Sequence, residues 1–200
     1  MQNIILASQS PRRKALLELA GIPFEVVVKS TDEIFSKDLK AVDVPVYLAR
    51  EKATAVNKFL DSAYHKQHKD KTILAADTIV VLGDKIINKP EDRQHAIEML
   101  CELAGKTHKV ITGVVLQTDY TEVAFSDVTE VEFHPLTKEQ IQFYVDDHAP
   151  YDKAGAYAIQ EWIGAIGIKC IHGDFYNVMG LPISRVVQEL YKLQKTHPNK

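Results

Sequence analysis

Residues 4–21, "IILASQSPRRKALLELAG", predict a strand that leads directly into a helix. The apolar run at 4–7 is typical of a buried strand. Ser10 is suited to cap the helix that follows, with Pro11 at its first position, where a missing N–H costs nothing. Gly21 is suited to end that helix, because glycine adopts the left-handed conformation common after a helix. The stretch therefore predicts the first strand–helix unit of the fold.

The chain downstream of this unit predicts further helices and strands that alternate, with a β-rich middle. We expect Leu16, Leu17 and Leu19 to form the apolar side of the first helix. A loop is predicted at 29–33 and a polar connector at 63–71. Strands are predicted at 24–28, 72–82, 85–89, 108–118, 122–134, 155–160 and 164–173, and helices at 45–60, 91–105, 141–147 and 182–194. This order favours an α/β or α+β protein with a mixed sheet, and without repeats or linkers it predicts one domain over 1–200.

Composition restricts the partners that this chain would have. The net charge is −3, whereas a protein dedicated to nucleic acid is usually basic. No apolar run approaches the 18 residues or so of a membrane span. Cys101 and Cys170 have no metal or disulfide spacing, so we expect them to be buried, reduced thiols. We therefore expect a soluble cytoplasmic protein with no nucleic-acid and no membrane partner.

The corner at 8–13 carries an unusual positive charge. A helix amino terminus offers free N–H groups and the positive end of the dipole, which makes it an anion site. Arg12 and Arg13 lie in that first turn, where cations are disfavoured, and Ser8 adds a hydroxyl. Arginine is matched to phosphate oxygens by its forked donors. The pattern favours a phosphate site, and the alternative is a pair of solvated arginines.

Two acidic positions are candidates for metal binding or proton transfer. Asp77 interrupts an apolar strand, where a carboxylate is costly unless it is paired or metal-bound. It is therefore either a structural partner for an arginine, or a base or metal ligand. Glu33, beside Asp32, lies in a loop after the second predicted strand. An acidic pair in a loop is usually solvated, but phosphate chemistry needs carboxylates to hold a divalent metal.

Several further residues have ordinary interpretations when each is taken alone. Lys52 lies mid-helix and Lys89 ends a predicted strand, and each is typical of a surface lysine. Thr78 is common strand material. The segment 152–160, "DKAGAYAIQ", is a further candidate, with Lys153, Gly155 and Gln160. The glycines and Asn177 of 173–182, "GDFYNVMGLP", are suited to a loop that approaches a ligand closely.

In this order, the motifs resemble the Maf family of nucleotide pyrophosphatases. The resemblance covers about residues 4–190. It implies a bilobed α/β fold like that of the inosine-triphosphate pyrophosphatases, with a cleft between the lobes. It also implies hydrolysis of a nucleoside triphosphate to the monophosphate and pyrophosphate with Mg²⁺ or Mn²⁺, and a possible homodimer. The matching segments are 5–27, 32–33, 48–53, "AADTIVVLGDKIINKPED" (75–92), 99–114, "APYDKAGAYAIQ" (149–160) and 173–183.

Three positions separate the subtypes of this family. Members acting on dTTP and UTP have Arg, Thr and Gln there, as this chain does at Arg12, Thr78 and Gln160. Members preferring 7-methyl-GTP have Trp, Gln and Glu. The chain departs from the usual family pattern at Asn88 and Glu161, where glycine is common, and Glu161 adds a charge beside Gln160. The resemblance therefore implies the dTTP/UTP subtype.

The resemblance also implies a role for each candidate residue. Asp77 would act as general base and would hold the metal with Glu33. Thr78 and Gln160 would hydrogen-bond the pyrimidine, and Arg12 would help to choose the substrate. The triphosphate would be bound by Ser8, Arg12, Arg13, Lys52 and Lys89. The alternatives are a pyrophosphatase of 7-methyl-GTP or another modified nucleotide, including a house-cleaning role, and a non-catalytic nucleotide-binding regulator of septum formation.

Overall fold

A computed structural model of the protein describes residues 3–36, 38–68 and 71–196. The strand–helix unit predicted at the amino terminus is confirmed: strand β1 spans Ile4–Leu6 and helix α1 spans Pro11–Leu19. The hydroxyl of Ser10 accepts a hydrogen bond from the N–H of Arg13, so the predicted cap is present. The predicted apolar side is wrong in one position. Leu16 and Leu17 are buried, but Leu19, the last helical residue, is 69% exposed.

The chain divides into two compact units, the first of which comprises residues up to Asp77 together with 112–127 and 180 onward. Strand β2 (Phe24–Val26) and strand β3 (Ile73–Leu82) both run parallel to β1. Helix α2 spans Val44–His68, so it continues through most of the predicted connector. That run contains no glycine or proline to end a helix. The apolar core of this unit includes Ile5, Ala49, Ala53, Val56, Ala75 and Val115.

The second unit comprises residues 78–111 and 128–179. The end of β3 forms the predicted hairpin with β4 (Lys85–Ile87), which turns at Gly83 and Asp84. Thr137 and Gln140 form the predicted capping box. The core includes Leu100, Leu103, Phe133, Ile141 and Tyr144. The other elements that enter this unit are α3 (Arg93–Leu103), β5 (Thr107–Gln117), β6 (Glu122–Phe133), α4 (Lys138–His148), α5 (Trp162–Gly167), β7 (Ile168–His172) and α6 (Phe175–Val178).

The strands of the described chain form one seven-stranded mixed sheet in the order β2-β1-β3-β5-β6-β7, with β4 paired to β3. The predicted mixed sheet is therefore confirmed. A last helix, α7, spans Ile183–Thr196, two residues beyond its predicted end, and 197–200 lie outside the described residues. Within the described part of the chain, no helix is long and apolar enough to cross a membrane. The single domain with a cleft between lobes stays a prediction.

Three sequence predictions in the second unit were wrong. The strand expected at 155–160 is a short 3-10 turn, Ala154–Ala156, followed by a β-turn, because Gly155 adopts a φ of +72° that a strand does not allow. The strand expected at 164–173 begins as helix α5 and becomes strand only at Ile168. Both cysteines are free as expected, but they are not buried: Cys101 is exposed and Cys170 is half-buried.

Candidate active site

The corner after β1 holds Arg13 in a fixed geometry. Its Nε donates a hydrogen bond to the carbonyl oxygen of Gly180 at 2.8 Å, and its Nη1 donates to the hydroxyl of Ser8 at 3.1 Å. Ser8 is buried directly after the strand, and Gly180 precedes the segment that leads into α7. The guanidinium is therefore anchored on two sides, which orients its remaining donors.

Both candidate carboxylates lie close enough to Arg13 to affect the pKa of its guanidinium. Burial lowers the pKa of its guanidinium, and the adjacent positive charge of Arg12 lowers it further. The carboxylates of Asp77 and Glu33 act in the opposite direction and favour the charged form. An arginine keeps its charge at neutral pH despite such a shift. Arg13 is therefore a cation within electrostatic reach of the two acidic residues that the sequence singled out.

Lys52 joins these two acidic residues directly. Its Nζ lies 2.5 Å from Oδ1 of Asp77 and 3.1 Å from Oε1 of Glu33. The Lys52 and Asp77 side chains are only 19% and 13% exposed, whereas Glu33 is 53% exposed. The lysine explains how the apolar strand β3 tolerates a carboxylate, because the charge is paired. The interpretation of Lys52 as a surface lysine was wrong.

Parallel pairing brings these groups to one edge of the sheet in the first unit. Leu6 of β1 pairs with Leu74 of β3, so the chain leaves β1 for Ser8 at the level where β3 reaches Asp77. Glu33 follows β2, which pairs with β1 on its other side. Ligand sites in α/β sheets usually lie beyond the carboxyl ends of parallel strands, and Asp77 lies within β3, three residues beyond its pairing of Leu74 with Leu6 of β1. The neighbouring Asp32 is exposed, and of the acidic pair in this loop it is Glu33 that contacts Lys52.

The donor set at this edge fits a hard divalent cation. Asp77 and Glu33 already share one cation, the Lys52 ammonium, so their oxygens converge on positive charge. Over the described ranges there is no group of three or more His, Cys, Asp or Glu residues placed to hold a metal ion. Mg²⁺ is commonly held by one or two carboxylates and completes its shell with water and substrate phosphates, so two carboxylates are sufficient.

The remaining candidates lie in the second unit. Thr78 follows Asp77 along β3 and is half-buried. Lys89 is exposed just after β4, and Gln160 is exposed within the turn that precedes α5. Their predicted roles toward the triphosphate and the base stay predictions.

The two loops that carry Lys89 and Lys153 are joined within this unit. The N–H of Gly155 donates to the carbonyl oxygen of Asn88 at 3.1 Å. Lys153 is buried, and its Nζ lies 2.8 Å from Oδ1 of Asp152 and 3.5 Å from Oε1 of Glu161. The candidate segment 152–160 is therefore tied to the end of the β4 hairpin.

Glu161, which departs from the family pattern, has its charge compensated. Its carboxylate accepts a hydrogen bond from the hydroxyl of Tyr144 at 2.5 Å and faces the ammonium of Lys153. Tyr144 was missed in the sequence, because a tyrosine in an amphipathic helix resembles any core aromatic. The carbonyl of Gly180 was missed because a main-chain acceptor leaves no signal in a single sequence.

Comparisons with known proteins agree with this set of motifs. The family model described as "Maf-like protein" matches residues 3–193. A dTTP/UTP pyrophosphatase of Cytophaga hutchinsonii is 48% identical over 191 residues, 96% of this chain and 84% of that protein. A protein of the same name from Bacteroides thetaiotaomicron is 46% identical over 191 residues, 95% of each chain.

Another bacterial relative matches over its whole length. The dTTP/UTP pyrophosphatase of Bacillus anthracis is 45% identical over 199 residues, 98% of this chain and 100% of that protein. Among solved structures, the Staphylococcus aureus Ham1 protein matches 67% of this chain and 73% of its own, with a TM-score of 0.45 and 15% identity. The family match and the identities of these relatives confirm the resemblance, and the chain belongs to the family of Maf-like proteins.

Proposed function

We propose that this protein hydrolyses dTTP and UTP to the nucleoside monophosphate and pyrophosphate. Relatives 45–48% identical over nearly the whole chain carry the name of that activity. The observation that carries the proposal is the grouping of Lys52 with Asp77 and Glu33, within reach of the charge of Arg13. Cations beside two carboxylates are what a metal-assisted reaction on a phosphate needs, whereas a simple phosphate-binding site gains nothing from acids that face its ligand.

The cations would bind and orient the triphosphate. Arg13 is suited to clamp a phosphoryl oxygen, because its guanidinium is already anchored by Gly180 and Ser8. A preorganised donor stabilises developing charge without reorganising during the reaction. The same binding role is proposed for Ser8, Arg12, Lys52 and Lys89.

The carboxylates would hold Mg²⁺ or Mn²⁺ and accept a proton. When bound by Glu33 and Asp77, the ion would neutralise charge on the phosphoryl oxygens. The carboxylate of Asp77 would take a proton from the water that attacks the α-phosphorus, and pyrophosphate would leave. Lys52 would hold that carboxylate in place through its 2.5 Å contact.

The subtype residues would select the nucleotide. Thr78 and Gln160 would hydrogen-bond the pyrimidine edge, and Arg12 would contribute to the choice of substrate. A hydrogen-bonding site discriminates strongly, because a wrong base leaves polar groups unpaired. We also propose a reducing, cytoplasmic compartment, which the two free cysteines support, and a homodimer, which the family resemblance implies.

The proposal is tested by measuring pyrophosphate and monophosphate formed from a panel of nucleoside triphosphates. The panel contains dTTP, UTP, dCTP, GTP and 7-methyl-GTP, each with Mg²⁺, with Mn²⁺ and with a chelator. We expect turnover of dTTP and UTP that requires the metal. Asp77→Asn should abolish it, while Asp84→Asn, at an exposed hairpin position, should not. Preference for 7-methyl-GTP, or nucleotide binding without turnover, would overturn the proposal.

A further inference from the structure

The exposed Gln160 sits in a four-residue turn that is closed by the main chain. The N–H of Glu161 donates to the carbonyl oxygen of Ala158 at 3.1 Å, so 158–161 forms a β-turn with Gln160 in its third position. Gln160 is the residue to which the proposed function gives base recognition, so a role of this turn in selectivity rests on that function. The orientation of the turn decides where the Gln160 amide points.

A single buried hydroxyl holds both ends of this turn. The Tyr144 hydroxyl donates to Oε2 of Glu161 at 2.5 Å and accepts from the N–H of Ala158 at 3.2 Å. Tyr144 is fully buried in α4, and its ring stacks on that of His148 with centroids 4.8 Å apart. A buried tyrosine hydroxyl needs partners, and here its partners are the first and the last residue of the turn.

The Glu161 side chain is directed to this contact and away from its own helix. Glu161 immediately precedes α5, where a side chain often caps the free N–H groups, but it makes no such hydrogen bond. Its carboxylate instead contacts Tyr144 and lies 3.5 Å from Nζ of the buried Lys153. The backbone of α5 also packs closely against the turn at Gly164, where a Cβ would lie 1.7 Å from the carbonyl oxygen of Ile159.

We propose that Tyr144 and Glu161 are positioning residues that give Gln160 its selectivity for the base. A glutamine amide carries a donor and an acceptor, so a rotation that exchanges them would let it pair with either thymine or cytosine. Discrimination requires the turn to hold the amide in one orientation, because a site that is loose by a fraction of an ångström loses specificity. This role requires no contact of Tyr144 or Glu161 with the substrate.

The proposal differs from a purely structural role in what the variants change. If Tyr144 only stabilised the fold, its removal would lower the thermal midpoint and reduce activity toward every nucleotide alike. If it positions Gln160, its removal lowers discrimination among bases, and this loss overlaps with the loss caused by removing the Gln160 side chain. A double-mutant cycle separates the two, since residues that act through one another are not additive.

The experiment compares kcat and KM for dTTP, UTP, dCTP and CTP in the wild type, Tyr144→Phe, Gln160→Ala and the double variant. We expect Tyr144→Phe to lower the ratio of kcat/KM for dTTP over dCTP by about tenfold, chiefly through a higher KM for dTTP. The double variant should lose no more selectivity than Gln160→Ala. Tyr191→Phe, at a half-exposed tyrosine on α7, is the matched control and should leave the ratio unchanged.

Equal losses for all four nucleotides, or additive losses in the double variant, would overturn this proposal while leaving the proposed function intact. If Tyr144→Phe fails to fold, Glu161→Gln replaces it in the same cycle. That variant keeps an oxygen acceptor for the tyrosine but loses the charge that faces Lys153, so we expect a smaller loss in the same direction. A wild type that releases no pyrophosphate from any of the four nucleotides would contradict the proposed function, and this proposal with it.

Discussion

The ammonium of Lys52 and the carboxylate of Asp77 form a contact of 2.5 Å between helix α2 and the largely apolar strand β3. The same ammonium lies 3.1 Å from Glu33, so one lysine neutralises part of the charge of two acids. A buried or half-buried carboxylate is costly unless it is paired or metal-bound. The contact with Lys52 therefore stabilises in the fold the same Asp77 carboxylate to which we assign proton transfer.

Replacing Lys52 by methionine should affect both activity and stability. Lys52→Met keeps the length of the side chain but leaves two carboxylates without their shared cation. We expect turnover of dTTP to fall by about 10²-fold or more and the free energy of unfolding to fall by about 1–3 kcal/mol. Pyrophosphate release and urea unfolding at pH 7 measure the two effects. Lys58→Met, at an exposed position of the same helix, should change neither.

Part of this site could be predicted from local sequence alone. The cap at Ser10 and the anomalous charge of Arg12 and Arg13 are encoded within one turn of helix, and Asp77 stands out against its apolar strand. The partner of Asp77 could not be predicted, because Lys52 approaches it across 25 positions of the chain. Such a pairing depends on how α2 packs against β3, and one sequence carries no signal of that packing.

Replacing Arg13 by lysine should reduce activity although the charge is kept. Lysine lacks the fork that contacts Gly180 and Ser8, so its ammonium would not be held in one orientation. We expect kcat/KM for dTTP to fall by about tenfold to 10²-fold. Arg50→Lys is the matched control, because Arg50 forks onto the carboxylate of Glu122 at the surface. An equal loss of kcat/KM in both variants would contradict the clamp role of Arg13.

The second unit shows where the sequence pattern was misleading. The alternation of small and apolar residues at 155–160 is typical of a strand, but Gly155 is a glycine that packs closely against a neighbour. Gly164, in the strand wrongly predicted at 164–173, is another. A Cβ at Gly155 would lie 3.0 Å from a methyl group of Val80. The pattern of a single sequence does not distinguish a glycine required by packing from one that breaks a strand. The hydrogen bonds of Tyr144 to this segment were missed because a tyrosine in an amphipathic helix resembles any core aromatic.

Gly113 of β5 should be intolerant of any side chain. A Cβ there would lie 2.2 Å from the carbonyl carbon of Pro45 and the nitrogen of Val46, both backbone atoms at the start of α2. Overpacking against backbone cannot be relieved by a rotamer change, so we expect Gly113→Ala to cost at least about 3 kcal/mol of unfolding free energy. Urea unfolding measures it.

The control for this substitution is Gly21→Ala. Gly21 has a φ of +65° and nothing within 4 Å of its Cβ position, so only backbone strain opposes the alanine. We expect a loss of about 1–2 kcal/mol. Equal losses in the two variants would show that the contact between β5 and α2 does not restrict Gly113.

His108 should make the stability of the protein depend on pH. The ring is buried against Phe133 and Tyr157, and its Nε2 lies 2.7 Å from the hydroxyl of Tyr157. Burial lowers its pKa from 6.5 to about 4. Its other nitrogen, Nδ1, has no hydrogen-bond partner among the described residues. The folded protein therefore resists protonation that the unfolded chain accepts.

The sign of the pH effect follows from this difference. Well above pH 6.5 the imidazole is neutral in both states, and His108 makes no pH-dependent contribution. Between pH 6.5 and about 4 only the unfolded chain binds the proton, so stability falls as the pH falls. The full loss is about 3 kcal/mol.

His108→Gln keeps a hydrogen-bonding group for Tyr157 but does not titrate. Urea unfolding at pH 7.5 and 4.5 should show a smaller pH dependence for this variant than for the wild type, whereas exposed His134→Gln should retain it. An unchanged pH dependence in His108→Gln would assign the acid sensitivity to other groups.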